Sequence, residues 1–153
     1  MKLYSLTRIQ NLPILIEEAW DYFSNPPNLN EITPKELNLT MTCTLPEKMH
    51  IGLLITYKVR PVLGIPLTWV TEITNIEEPF LFVDEQRFGP YRFWHHQHHF
   101  RKISGGVEMK DIVSYALPFD PFSRPINALI VRSKLNSIFD FRFRFLQQKY
   151  GAL

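Results

Sequence analysis

The chain has almost no cysteine, little net charge and no long apolar run, and each shortage removes a class of protein. A single cysteine, Cys43, excludes an internal disulfide and any metal site built on a pair of thiols, which fits a reducing compartment. No uninterrupted apolar stretch approaches the roughly 20 residues that cross a bilayer. The opening MKLYSLTRIQ lacks an apolar segment followed by a small-residue cleavage site. A cytoplasmic protein without integral membrane association is therefore expected. Net charge is only +2, and the basic residues are scattered instead of blocked, so no nucleic-acid partner is expected.

What the chain does have is aromatic and apolar bulk. Apolar residues make up 45% and aromatics 14%, with 12 Phe, which excludes disorder and supplies a wide apolar interior that suits a cavity lining as well as a packed core. At 153 residues, one domain spanning 1–153 is expected.

Lys2 to Asn11 alternates as a first strand. Ile14 to Ser24 then reads as a helix with Leu15, Ala19, Trp20 and Phe23 toward the core, stopped by Asn25-Pro26-Pro27, with a second helical turn over Asn28 to Thr33. Strand patterns follow at Asn38–Leu45 (which holds Cys43), Leu53–Arg60, Leu67–Ile76, Phe80–Arg87, Tyr91–Ile103 and Val107–Leu117. Turn signals punctuate them, among them Gly64-Ile65-Pro66, Gly89-Pro90 and Gly105-Gly106. Short connections imply an antiparallel meander. From about Pro125 to Tyr150 the period becomes helical, with Ile126, Leu129, Ile130, Ser133, Ser137, Phe141 and Phe145 on one face. Arg142 and Arg144, interleaved with phenylalanines, read as surface or ion-pairing residues. The fold class is α+β: a curved sheet of about seven strands around a long C-terminal helix, with two short helices after the first strand. A sheet curved around one helix leaves a cavity between them.

The densest chemistry lies in FVDEQRFGPYRFWHHQHHF, Phe82 to Phe100. Alternate residues of a strand share a face, so Trp94, His96, His98 and Phe100 point one way, and their aromatic ends mark that side as buried. A turn at Gly89-Pro90-Tyr91-Arg92 would set Phe88 opposite Trp94, Gln86 opposite His96 and Asp84 opposite His98. A turn at Gly105-Gly106 would add Asp111 opposite Phe100 and Tyr115 opposite His96. Burying these polar groups costs several kcal/mol unless they bond one another, water or a ligand, so they form either a satisfied polar core or a cavity wall. His95 and His99 fall on the outer face.

The residues Asp84, Gln86, Gly89-Pro90-Tyr91, Trp94, His96, His98 and Phe100, with Asp111, Tyr115-Ala116-Leu117-Pro118 and Ile138-Phe139-Asp140-Phe141-Arg142, resemble the SRPBCC superfamily of START-like, pollen-allergen-like helix-grip proteins. More narrowly, they resemble a bacterial group of ligand-binding or cyclase-like domains. The resemblance covers essentially the whole chain. One departure stands out: Phe119-Asp120-Pro121 replaces a usual glycine-rich turn, at the opening of the cavity.

The superfamily hosts carriers, receptors and cyclases, so fold does not settle function. The expected function is binding of a small hydrophobic or amphipathic molecule, a lipid, isoprenoid or polycyclic compound, at Asp84, Gln86, Phe88, Trp94, His96, His98, Phe100, Asp111 and Tyr115. One alternative is a polyketide cyclase or dehydratase-like enzyme, with His96 or His98 moving a proton, Asp84 orienting the imidazole and Tyr115 polarising a carbonyl. A purely structural cluster is another. An H-x-H strand facing a carboxylate has the makings of a two-histidine, one-carboxylate metal site, but alternation divides HHQHH between two faces, and neither metal nor cofactor is assigned. A monomer or homodimer is expected.

Overall fold

The computed structural model describes residues 1–60 and 65–153. Seven antiparallel strands, β1 (Tyr4–Leu12), β2 (Thr40–Met41), β3 (Leu54–Val59), β4 (Leu67–Glu77), β5 (Leu81–Phe88), β6 (Phe93–Ile103) and β7 (Gly106–Ala116), form one sheet in the order β1-β7-β6-β5-β4-β3-β2. The first strand thus pairs with the last, and every other strand pairs with its neighbour in sequence. Between β1 and β2 lie α1 (Ile16–Phe23) and two short 3₁₀ turns, Pro26–Asn30 and Lys35–Leu37. After β7, a turn α2 (Arg124–Ile126) and a π-helical turn (Asn127–Val131) lead into α3 (Arg132–Tyr150). The sheet grips α3, as the alternating strands and final helical pattern predict.

Three expectations shift, and a fourth falls partly outside the described residues. The strand predicted over Asn38–Leu45 is reduced to Thr40–Met41; Cys43 lies beyond it, where its sulfur accepts the Thr56 backbone N–H. On α1 the buried residues are Ile16, Ala19, Trp20 and Tyr22, while Leu15 sits outside the helix and is 70% exposed. The Gly64 part of the predicted Gly64-Ile65-Pro66 turn lies outside the described residues. On α3 the buried stripe is Leu135, Phe139, Arg142 and Leu146. This stripe lies one residue, or about 100°, around the helix from the predicted Phe141 and Phe145 face. Ser133 and Ser137 face outward, and the Ser137 hydroxyl donates to the Ser133 carbonyl.

The hairpin registers also differ from expectation, each by two residues. Asp84 pairs with His96 and Phe82 with His98; His98 pairs with Asp111, His96 with Val113 and Trp94 with Tyr115. The second shift comes from the turn. Ile103 pairs with Gly106, so the corner is Ser104-Gly105, where Gly105 takes the left-handed φ of +84° that a two-residue hairpin needs. Gly106 belongs to β7, and a side chain there would collide with the Leu12 backbone carbonyl. In the first hairpin, the Gln86 side chain donates to the Tyr91 carbonyl (2.7 Å) and accepts its N–H (3.2 Å), so it clamps the turn, while its backbone pairs with Thr71 of β4 and not with β6. A shift of two preserves face, so Asp84, Trp94, His96, His98, Phe100, Asp111 and Tyr115 still point inward, whereas Gln86 and Phe88 lie beyond the paired part of the hairpin.

The core is divided. Leu12, Ile16, Trp20, Phe82, Phe100 and Leu146 pack at one end, with Trp20 edge-on to both Phe82 and Phe100. Val113, Tyr115, Leu135 and Phe139 pack under the start of α3, and Leu53, Ile55, Tyr57 and Ile73 under β3 and β4. The space between these groups is not filled.

Candidate functional site

A cavity of about 250 Å³ opens between the sheet and α3. Its walls are mainly apolar: Leu29, Ile32 and Leu37 from the helical turns, Ile55, Tyr57, Trp69 and Ile73 from β3 and β4, Tyr91 and Trp94 from the β5–β6 hairpin, and Phe139 from α3. Trp69, Tyr91 and Trp94 form an aromatic corner, with ring centroids 4.8–5.5 Å apart. Burial pushes the Tyr57 and Tyr91 hydroxyls upward in pKa, so both remain neutral donors.

The charged cluster in the wall is Asp84, His96, His98 and Arg142, with Asp111 behind; Lys134 and the polar Asn25, Asn28, Thr33 and Thr71 also line the cavity. His98 Nε2 lies 2.8 Å from Asp84 Oδ2, and its Nδ1 lies 3.0 Å from Asp111 Oδ1. Ionised carboxylates only accept, so both ring nitrogens carry hydrogen and His98 is an imidazolium. Burial alone would lower its pKa, but the bonds to Asp111 and Asp84 outweigh burial and raise it. His98 also stacks on Phe82, with centroids 4.0 Å apart.

His96 differs. Its Nε2 donates to Asp111 Oδ1 at 3.0 Å, while its Nδ1 stands 3.5 Å from Asp84 Oδ2. Burial, then the like charge of His98, pushes its pKa down, so it is a neutral imidazole with its proton on Nε2. Burial would raise both carboxylates, yet the surrounding cations and N–H donors hold Asp84 below its ordinary value and Asp111 well below. Arg142 Nη1 lies 3.6 Å from Asp111 Oδ2 and the guanidinium rests over the Phe139 ring. Two carboxylates thus balance one imidazolium and one guanidinium. Donor atoms of Asp84, His96 and His98 lie within 4.8 Å of one another. They are already bonded to each other or to Asp111, so the set closes as a hydrogen-bond network, and no metal is assigned to it.

Of the nine residues singled out by sequence, Asp84, Trp94, His96 and His98 reach the cavity wall. Asp111 buttresses both imidazoles from behind. Phe100 is packed into the core beside Trp20 and Phe23. The Tyr115 hydroxyl donates to Asn127 Oδ1 at 2.8 Å, which ties β7 to the π-helical turn. Gln86 clamps its turn. Phe88 is 63% exposed, past the point where β5 and β6 remain paired. On the outer face, as expected, His95 bonds Glu85, and Gln97 links His95 to His99. Arg142, read from sequence as a surface or ion-pairing residue, is ion-paired with Asp111 but buried, and its place at the cavity was not anticipated, nor was the role of Asn127. The signal for Arg142 was its place in the 4-3-4 spacing of Leu135, Phe139, Arg142 and Leu146.

No protein-family model and no curated protein sequence matches the chain. Solved structures do. Protein CV1439 from Chromobacterium violaceum superposes with a TM-score of 0.72 at 9% identity, covering 97% of this chain and 98% of that one. Ara h 8.0201 gives 0.64 at 14% identity, covering 96% and 99%. The di-domain ARO/CYC BexL from the BE-7585A biosynthetic pathway gives 0.71 at 14% identity, covering 99% of this chain and 51% of BexL. The chain therefore has the helix-grip fold of the START-like, pollen-allergen-like proteins, as its sequence resembles. Among the described residues no helix is long and apolar enough to cross a membrane.

Proposed function

We propose that the chain, acting as one domain, binds a small hydrophobic or amphipathic molecule of the lipid, isoprenoid or polycyclic kind in the cavity between sheet and α3. The observation that carries this reading is the unfilled 250 Å³ space with apolar walls and one polar corner. An apolar ligand entering it gains roughly 25 cal/mol per Å² of buried surface before association costs, and the polar corner orients it. Trp94, His96, His98 and Asp84 are the contacting residues, and Asp111 positions both imidazoles. Similarity to BexL, an aromatase/cyclase by its name, agrees with a cavity that encloses ring compounds.

Thr71 is buried on β4 and faces the cavity, so Thr71→Trp should fill part of it. In a fluorescence titration with the neutral dye N-phenyl-1-naphthylamine, the wild type is expected to bind and Thr71→Trp to bind at least about tenfold more weakly, a loss of 1.4 kcal/mol. The variant's far-ultraviolet circular dichroism and cooperative urea unfolding should remain native. Equal dye affinity in both proteins would place the dye elsewhere and remove the support for a binding cavity.

A further inference from the structure

Arg142 is a buried cation with unused hydrogen-bonding capacity. It is 7% exposed, its Nε has no hydrogen-bond partner among the described residues, and its one ionic neighbour, Asp111, stands 3.6 Å away, beyond hydrogen-bond distance. A guanidinium has five N–H donors in a planar fork, and leaving them unbonded in a low-dielectric site is costly. Most buried arginines are held by bidentate carboxylates; this one is held by a ring face, Phe139, and a loose ion pair. It lines the main cavity, and with Asp111 it also lines a crevice of about 50 Å³ between β1 and α3.

We propose, resting on the binding reading above, that the molecule this cavity takes is an apolar body bearing one oxyanion, a carboxylate or an enolised oxygen, which the Arg142 guanidinium receives. The electrostatics permit it. Asp84 and Asp111 are already balanced by His98 and Arg142, so an incoming anion meets no net negative field. The one ionic contact of the guanidinium, from Nη1 to Asp111, is already longer than a hydrogen bond, so admitting the anion breaks none there. The one N–H of neutral His96 is already given to Asp111, so the donors offered to the anion are those of Arg142.

Matched probe pairs that differ only in their polar end test this: decanoic acid against 1-decanol, and anthracene-9-carboxylic acid against 9-anthracenemethanol. Each would be titrated calorimetrically into wild type, Arg142→Met and Arg142→Lys. At least one acid is expected to bind about tenfold or more tightly than its alcohol in the wild type. The preference should vanish in Arg142→Met, with alcohol affinity little changed, and return in part in Arg142→Lys. If Arg142→Met does not fold, the Arg142→Lys and wild-type comparisons still decide the matter. Alcohols binding as well as acids, or an acid preference that survives Arg142→Met, would overturn the oxyanion inference and leave the binding reading standing. No binding of either member of either pair, with dye binding also absent, would overturn both.

Discussion

Asp111→Ala should cost about 3–5 kcal/mol of folding free energy, the usual consequence of removing one partner from a buried charge cluster. Asp111 accepts from His96, lies 3.0 Å from a second imidazole and faces Arg142, and it is buried. Its loss leaves the His98 and Arg142 cations opposed by Asp84 alone. Asp111→Asn should lie between the two, because the amide oxygen still accepts one bond but carries no charge. Urea denaturation at pH 7 measures both. A loss under about 1 kcal/mol for Asp111→Ala, the range of an exposed pair, would mean that the cluster is hydrated and that the cavity floor is not the low-dielectric site described.

The second large effect is a stability curve that peaks near pH 6.5 and falls steeply in acid. Asp84 and Asp111 have folded pKa values depressed below the ordinary carboxylate value of about 3.9. Their contribution is therefore present in full above that value and is lost as pH falls through their folded values. The two histidines act on opposite sides of about 6.5. His98, raised, contributes fully below 6.5 and loses its contribution as pH climbs through its folded value. His96, lowered, resists a proton that the unfolded chain accepts, so it subtracts stability as pH drops below 6.5. His99, lowered first by burial, adds to that acid-side loss. Thermal unfolding from pH 2 to 9 should show the maximum and the acid collapse, and Asp111→Asn should lower the plateau while flattening the acid limb. A stability that rises steadily from pH 6.5 to 9 would contradict the assignment of charge to His98.

The face of each strand was legible because a period of two depends only on the residues of that strand. Asp84, Trp94, His96, His98 and Asp111 point inward for that reason. Register was not legible to the residue, because it depends on where a turn closes. Both candidate corners, Ser104-Gly105 and Gly105-Gly106, contain a glycine, and nothing local shows that Gly106 serves the close approach of the Leu12 backbone, from a strand nearly a hundred positions earlier, instead of the turn. The Gln86 clamp on Tyr91 likewise consumed a group that alternation alone assigns to the cavity. Of the two readings of Arg142, ion-pairing holds and surface does not, because the stripe through Leu135, Phe139 and Leu146 places it inside. The Phe119 departure from a glycine-rich turn is real in the structure: Phe119 holds a left-handed φ of +60°, a conformation glycine adopts more readily, with its ring 80% exposed.

Native mass spectrometry of the protein purified without added lipid, followed by denaturing extraction, tests the binding cavity most directly. The expected result is one organic adduct per chain, apolar and bearing a single acidic group, that is absent from a folded Thr71→Trp variant. A bare mass, together with no thermal shift across acidic and neutral lipids, isoprenoids and polycyclic compounds, would contradict a ligand-binding cavity and leave the buried Asp-His-Arg cluster as a device of the fold.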